Sequence, residues 1–440
     1  MLNWVERTDF ELRMRNIPHI NLERLQRTIH EMAEFGAKDN GGCCRISLTD
    51  EDRLGRDQFV EWCKEAGCSV HVDGFGNIFA IRAGTRPDNS IVLTGSHLDT
   101  QPNGGTLDGI YGVLAGLEVI RTLNEQDIQT ERAIAVVNWT NEEGARFSPG
   151  LTGSSGFSGN LDVASAMSII GADGVRFGEA LGRIGYAGEF SREAIDPFAY
   201  VELHIEQGPV LEQQKRTIGI VEGVQGVRWY EIELTGSDRH AGTTPMTDRR
   251  DSFMALSRIA LEMRRFAAFM NPDVRFTVGR VAVIPGSPNT VPGRSSFSID
   301  LRHQDAGVLD TIESALFECA RKVAAEEHVQ VEVCRTMVVP PISFSTGIVG
   351  LVDAASESAG YTSMRMNSGA MHDACRIASI TPTGMIFVPS RGGVSHHEDE
   401  WTAPEDLEAG ANILLQTLLA LAGQSQAIEG LSSVDQCDPR

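Results

Sequence analysis

Two apolar, β-branched runs constrain this chain more than anything else: Ile91-Val92-Leu93, closed by Thr94-Gly95, and Ala133 to Trp139 (AIAVVNW). A helical pattern over Ile110 to Leu123 separates them. Strand, crossover helix and strand, with both strands apolar enough to be buried on two faces, call for a mostly parallel sheet covered by helices. In such sheets ligands collect beyond the carboxyl ends of the strands. The residues that follow each run are therefore the first place to look for chemistry.

After the first run comes GSHLDTQPNGGTLDG, residues 95 to 109. His97 is suited to a divalent metal, and a metal-bound imidazole gives its other ring nitrogen to a partner that fixes the tautomer, the role expected of Asp99. Asp108, just before Gly109 and the helix, can place its two oxygens on two metals. Asn141-Glu142-Glu143-Gly144 follows the second run. Neighbouring glutamates at a strand end point differently, so one can bind metal while the other moves protons. Tyr200 to Gln207 alternates with period two and sets Glu202, His204 and Glu206 on one face, and His396 follows the short apolar strand Met385 to Val388. Taken singly, each of these fits a solvated turn or a polar strand face as well as a ligand. Taken together, four strand ends offer His97, Asp108, Glu143, His204 and His396, enough to hold two metals with Asp108 shared and a hydroxide between them as nucleophile.

Helical spacing at Leu22, Leu25, Ile29 and Met32, and a Thr49-Asp50-Glu51-Asp52 cap, mark two scaffold helices, and a last helix runs roughly from Pro404 to Leu421. LTGSSGFSG (151 to 159) lacks the lysine of a phosphate loop and reads as a close-packed loop near the site. From 222 the pattern changes to strand 227–234, helix 251–270, strands 274–284 and 294–303, helix 309–325 and strand 329–338, a ferredoxin-like β-α-β-β-α-β order. Residues 222–337 are thus expected as a domain inserted into one formed by 1–221 and 338–440. At 440 residues the chain is long enough for two cores.

Thirty-eight basic against sixty acidic residues give a formal charge of -22, which disfavours nucleic acid and requires that a site for an anionic substrate carry its own arginine. The N-terminal residues lack a signal-peptide apolar core, and no run reaches the ~18 apolar residues of a membrane span. A cytoplasmic protein without a membrane partner is expected. Eight scattered cysteines without a C-x-x-C pair fit reduced thiols, and the tail beyond Gly423 is polar.

GSHLDTQPNGGTLDG, NEEGARF, ELHIEQG, RHAGTTPMTDRRD (239 to 251), NTVPG (289 to 293), DLRH (300 to 303), SGAMHDA (368 to 374) and SHHEDE resemble, in order and over almost the whole chain, the amidase, hydantoinase/carbamoylase family. That family lies in the dinuclear metal aminoacylase/carboxypeptidase superfamily. The resemblance implies the same five ligands, Glu142 as general base and acid, and two divalent ions, Zn, Mn, Co or Ni. It places substrate contacts at Gln207, His240, Asn289 and Arg302, with backbone from Gly369. It also implies a homodimer through the inserted domain, acting as a lid that closes by hinge motion. Two departures stand out: Met371 replaces the family's usual glycine, and Trp229 lies where allantoate-type relatives tend to have an arginine.

The activity so implied is hydrolysis of an N-carbamoyl amino acid, α or β, to amino acid, carbon dioxide and ammonia. Allantoate or ureidoglycolate amidohydrolase is the alternative. A metal aminopeptidase or carboxypeptidase, or an inactive binding protein on the same fold, lies further off.

Overall fold

The two apolar runs become neighbouring parallel strands. The computed structural model describes residues 19–423. Its strands in chain order are β1 (Ser69–Val72), β2 (Ile78–Arg82), β3 (Ser90–His97), β4 (Ala133–Trp139), β5 (Asp196–Ile205), β6 (Ile218–Val224), β7 (Gly226–Thr235), β8 (Arg239–His240), β9 (Arg275–Ile284), β10 (Thr290–Val291), β11 (Arg294–His303), β12 (Gln330–Val339), β13 (Ile342–Ser343), β14 (Ser363–Ser368) and β15 (Thr383–Val388). The described chain separates into two units, one of residues 19–222 with 344–423, the other Gly223–Ser343. The polar tail beyond Gly423, with Cys437, lies outside the described residues.

In the first unit the strand order is β1-β2-β4-β3-β5-β15-β6, with β14 also on β6. The central strands β4, β3, β5 and β15 are parallel, while β1, β2 and β6 are antiparallel additions at the edges. Four parallel strands end at one edge, where His97 is the last residue of β3 and His204 the last but one of β5, and the following loops carry Asp108, Glu142 with Glu143, Gln207 and His396. Every residue of β3 after Ser90 is buried, as a strand covered on both faces must be. The helix Ile110–Glu125 is buried almost all round because it lies between the sheet and the helices Leu22–Ala33 and Pro404–Ala422. Each fully buried Leu, Ile or Val there contributes about 1.5–3 kcal/mol. Asn21 and Thr49 cap their helices, accepting from Arg24 N at 3.0 Å and Asp52 N at 3.3 Å.

The segment LTGSSGFSG differs from expectation: Thr152–Phe157 is a short buried helix. Its glycines let it press on the turn between β1 and β2; a Cβ at Gly153 would fall 2.0 Å from Asn77 Oδ1 and one at Gly156 2.4 Å from the Phe75 ring. Helices Asp50–Glu65, Phe177–Ile184 and Thr346–Ala359 and strands β6 and β14 are among the further elements of the unit.

The second unit is a four-stranded antiparallel sheet in the order β12-β7-β11-β9. Helices Ser252–Met270 and Ala306–Glu326 pack on one face, against Tyr230, Ile232, Leu234, Phe297, Ile299 and Leu301. This is the ferredoxin-like arrangement. The alternate residues Trp229, Asp300 and Arg302 therefore share the other face. The unit runs to Ser343 rather than 337 because β12 continues to Val339 and β13 turns back to pair with the end of β6, Ile342 opposite Val224.

Candidate metal centre

At the carboxyl edge of the parallel strands, Asp108 sits among the donors. Its Oδ1 is 3.1 Å from His204 Nε2 and 3.7 Å from His97 Nε2; its Oδ2 is 3.1 Å from His396 Nε2, which in turn is 3.4 Å from Glu143 Oε2. The oxygens of one carboxylate thus face two donor sets, His97 with His204 on one side and Glu143 with His396 on the other. In each set the candidate ligand atoms lie within 4.8 Å of one another. Gly109 makes the approach possible: it has φ 70°, and a Cβ there would fall 2.4 Å from the His97 ring.

Asp99 acts differently from expectation. His97 Nδ1 is held by the main-chain oxygen of Asp99 at 2.9 Å, whereas the Asp99 carboxylate stands 4.0 Å away. That carboxylate instead accepts from Glu142 N at 3.2 Å and Glu143 N at 3.3 Å, so it fixes the backbone of the glutamate pair. A two-residue spacing across a strand end brings the carbonyl, not the side chain, to the imidazole. Glu142 Oε2 lies 3.6 Å from His97 Nε2, and Gln101 Nε2 donates to Glu143 Oε2 at 2.8 Å. Asn141, Gln207 and His396 all have left-handed backbones, with φ of 58°, 57° and 56°. Such strain costs about 1–3 kcal/mol for a residue other than glycine and gathers at functional sites.

Burial governs the electrostatics. It drives His97 down to about 4 despite the nearby Asp108, keeping the ring neutral and able to ligate. Burial also works against charge on His204, but the hydrogen bond and charge of Asp108 outweigh it and push His204 up to about 9. The Asp108 hydrogen bond likewise raises His396. Glu142 is pushed well above the carboxylate range by burial and by the neighbouring Asp373 and Glu143. A buried surplus of carboxylates around three imidazoles, all oxygen and nitrogen donors, fits divalent cations.

The sequence profile of Peptidase family M20/M25/M40 matches residues 93–420. The chain belongs to that family. It is 42% identical over 404 residues to the N-carbamoyl-L-amino-acid amidohydrolase of Rhizobium meliloti, covering 92% of this chain and 97% of that one. The allantoate amidohydrolase of Escherichia coli (strain K12) is 35% identical over 406 residues, 91% of this chain and 98% of the relative. Among solved structures, an amidase of the hydantoinase/carbamoylase family from Burkholderia multivorans matches with a TM-score of 0.89 at 46% identity, covering 92% of this chain and 99% of that chain.

Other candidates of this M20 chain fall at the centre or away from it. Gln207 Nε2 donates to Asp108 Oδ2 at 2.8 Å. Gly369 is exposed, one residue beyond β14, and nothing lies within 4 Å of where its Cβ would be. Met371 is half-buried beside His372, whose ring meets that of His204 at 4.5 Å between centroids. In the second unit His240 pairs with Thr290, next to Asn289, whose main-chain oxygen accepts from Ala241 N at 2.9 Å. Arg302 is far from both. Asn289 precedes β11, Arg302 is near the far end of that strand, and the eight residues from Arg294 to Arg302 span about 26 Å.

Sequence reasoning missed Ser395, Glu400 and Gln101, which hydrogen-bond to the candidate ligands or their backbone. It also missed His372, which with Glu202 and His204 forms a further buried group of donors. Among the described residues every cysteine is free, and no helix is long and apolar enough to cross a membrane.

Proposed function

We propose that this protein is a dinuclear metal amidohydrolase that cleaves the ureido C–N bond of an N-carbamoyl amino acid, yielding the amino acid, carbon dioxide and ammonia. The observation that carries the proposal is Asp108, whose two oxygens face separate donor sets. Its reaction class is that of the N-carbamoyl-L-amino-acid amidohydrolase relative. His97, His204, Glu143 and His396, with Asp108 between, would hold two ions of Zn²⁺, Mn²⁺, Co²⁺ or Ni²⁺. Bound there, the ions would polarise the ureido carbonyl and acidify water.

The chain supplies the rest. Glu142 lies beside the donor set without a hydrogen bond to Asp108, and its raised proton affinity suits a group that takes a proton from water and returns it to the departing nitrogen. Asp99 keeps that carboxylate in place through two backbone amides. Gln207 would orient the ureido group from the Asp108 side, and the Gly369 backbone would offer a further contact. Arg302 would take the substrate carboxylate, since its fork matches two oxygens.

His240 and Asn289 are further substrate contacts on this reading. Their separation from Arg302 along β11 exceeds the length of a small ureido acid, which supports a homodimer through the second unit: one copy supplies Arg302 and the other His240 with Asn289. That unit would also act as the lid. The free cysteines support a reducing, cytoplasmic setting.

Allantoate or ureidoglycolate is the second reading, supported by the Escherichia coli relative; Trp229, with no charge to offer a second ureido group, favours the first. Ammonia release by Mn²⁺- or Zn²⁺-loaded protein from N-carbamoyl-L-amino acids, N-carbamoyl-β-alanine, allantoate and ureidoglycolate separates them, and release of free amino acid from a dipeptide panel tests for a peptidase. No ammonia from any ureido compound would overturn the proposal.

A further inference from the structure

His396 reaches the centre on a loop closed at its base by Arg391 N donating to Trp401 O at 2.9 Å and Thr402 Oγ1 donating to Pro389 O at 2.8 Å. The same loop carries Glu400, a carboxylate only 7% exposed. Glu400 Oε1 leaves its own loop altogether and accepts from Leu107 N at 2.9 Å and Asp108 N at 3.1 Å. Its other oxygen lies 2.9 Å from Ser395 Oγ, and Ser395 Oγ lies 3.0 Å from Asp108 Oδ2. Two loops distant in sequence are therefore tied at the backbone of Asp108 and again at the oxygen that faces His396. The fit leaves no spare room: a Cβ on Gly105 would fall 2.2 Å from Glu400 Oε1.

We infer that Glu400 is a positioning residue: it grips the Asp108 backbone directly and the Asp108 Oδ2 through Ser395, holding the His396 loop in register with the shared aspartate. The inference rests on the reading that Asp108, Glu143 and His396 hold a cation. Burying a carboxylate is costly unless its oxygens are occupied, and here the occupants are two amides and a hydroxyl that belong to the ligand loops. Groups that orient a metal ligand in this way are commonly worth 10–100-fold in metal affinity. The effect is directional. Ser395 touches the Oδ2 side, so loss of the clamp acts on the ion held by Glu143 and His396 more than on the ion held by His97 and His204.

The test is a calorimetric titration of the full, metal-stripped chain with Mn²⁺, alongside its thermal midpoint by circular dichroism. Wild type is expected to take up two equivalents. Glu400→Ala and Ser395→Ala are expected to weaken one equivalent by about 10–100-fold and to leave the other within a few-fold. Gly105→Ala, which displaces the carboxylate without removing it, should behave like Glu400→Ala. Glu400→Gln keeps an oxygen for the amides and turns an N–H towards Ser395, so it is expected to restore both equivalents.

Two equivalents bound by Glu400→Ala as tightly as by wild type would overturn the inference, as would equal weakening of both together with a lowered thermal midpoint, the mark of a merely structural role. If Glu400→Ala does not fold, Ser395→Ala, which leaves the backbone grip intact, decides by the same criteria. Wild type that binds no Mn²⁺ sinks the functional reading itself, and this inference with it.

Discussion

Asp300 accepts from Arg302 at two points, Nε to Oδ1 and Nη2 to Oδ2, both at 2.9 Å, and Trp229 Nε1 donates to the same carboxylate at 2.8 Å. The guanidinium is thereby oriented before any substrate arrives. Arg302→Lys keeps the charge and loses the fork, and is expected to raise KM for an N-carbamoyl-L-amino acid by about tenfold or more with a smaller change in kcat. An unchanged KM would remove Arg302 from substrate binding. Trp229→Arg is expected to raise the ratio of allantoate to N-carbamoyl turnover, measured by ammonia release.

Glu142 is the proton carrier of the proposed reaction. Glu142→Gln is expected to lower kcat by about 10²–10⁴-fold, the usual worth of general acid–base catalysis, with Mn²⁺ stoichiometry unchanged. Activity within a few-fold of wild type would assign the proton transfers elsewhere.

The histidines predict how metal binding depends on pH. With His204 raised to about 9 and His396 raised beside Asp108, both imidazoles of the metal-free chain carry protons near neutrality, whereas His97, lowered to about 4, does not. A cation must displace those protons. Affinity is therefore expected to rise as pH rises from neutrality towards 9, and binding to release protons, seen by calorimetry in buffers of different ionisation enthalpy. Affinity that is flat with pH would contradict the ligand set.

A shared site across two copies predicts complementation. Arg302→Ala and His240→Ala, each expected to be nearly inactive alone, should regain up to about a quarter of wild-type activity after mixing and subunit exchange, since random pairing leaves one intact site in half of the dimers. No recovery among dimers shown by mass spectrometry to have exchanged would contradict the shared site.

Arg56 and Asp52 are wholly buried and joined at 2.8 Å, and Arg56 also donates to Gly76 O and Thr140 Oγ1. Arg56→Ala leaves the Asp52 charge buried without its partner and is expected to cost about 3–5 kcal/mol in urea unfolding. A change below 1 kcal/mol would show that the pair is dispensable.

The candidate ligand positions were legible because each lies at or after the carboxyl end of a strand recognisable by its apolar run or alternation, and parallel strands bring those ends to one edge. Strands β6 (IGIVEGV) and β14 (SMRMNS) have neither clean alternation nor a long apolar run, and their pairing is set by neighbours far along the chain. Glu400 was hidden for a related reason. SHHEDE looks like a solvated acidic turn, and its burial depends on an amide 293 residues away. Asp99 was placed by spacing alone, and only backbone geometry tells whether its carbonyl or its carboxylate meets the imidazole.

The chain departs into the second unit and returns from it on strands that lie side by side, Gly223 opposite Ser343, about 5 Å apart as paired strands are. A hairpin-sized splice would suffice to close that gap. All five candidate ligands and Glu142 lie outside the spliced segment, so on the proposed reading the metal centre and the contacts of Arg302, His240 and Asn289 are carried on separable pieces of one gene product. Each could change in evolution without redesign of the other.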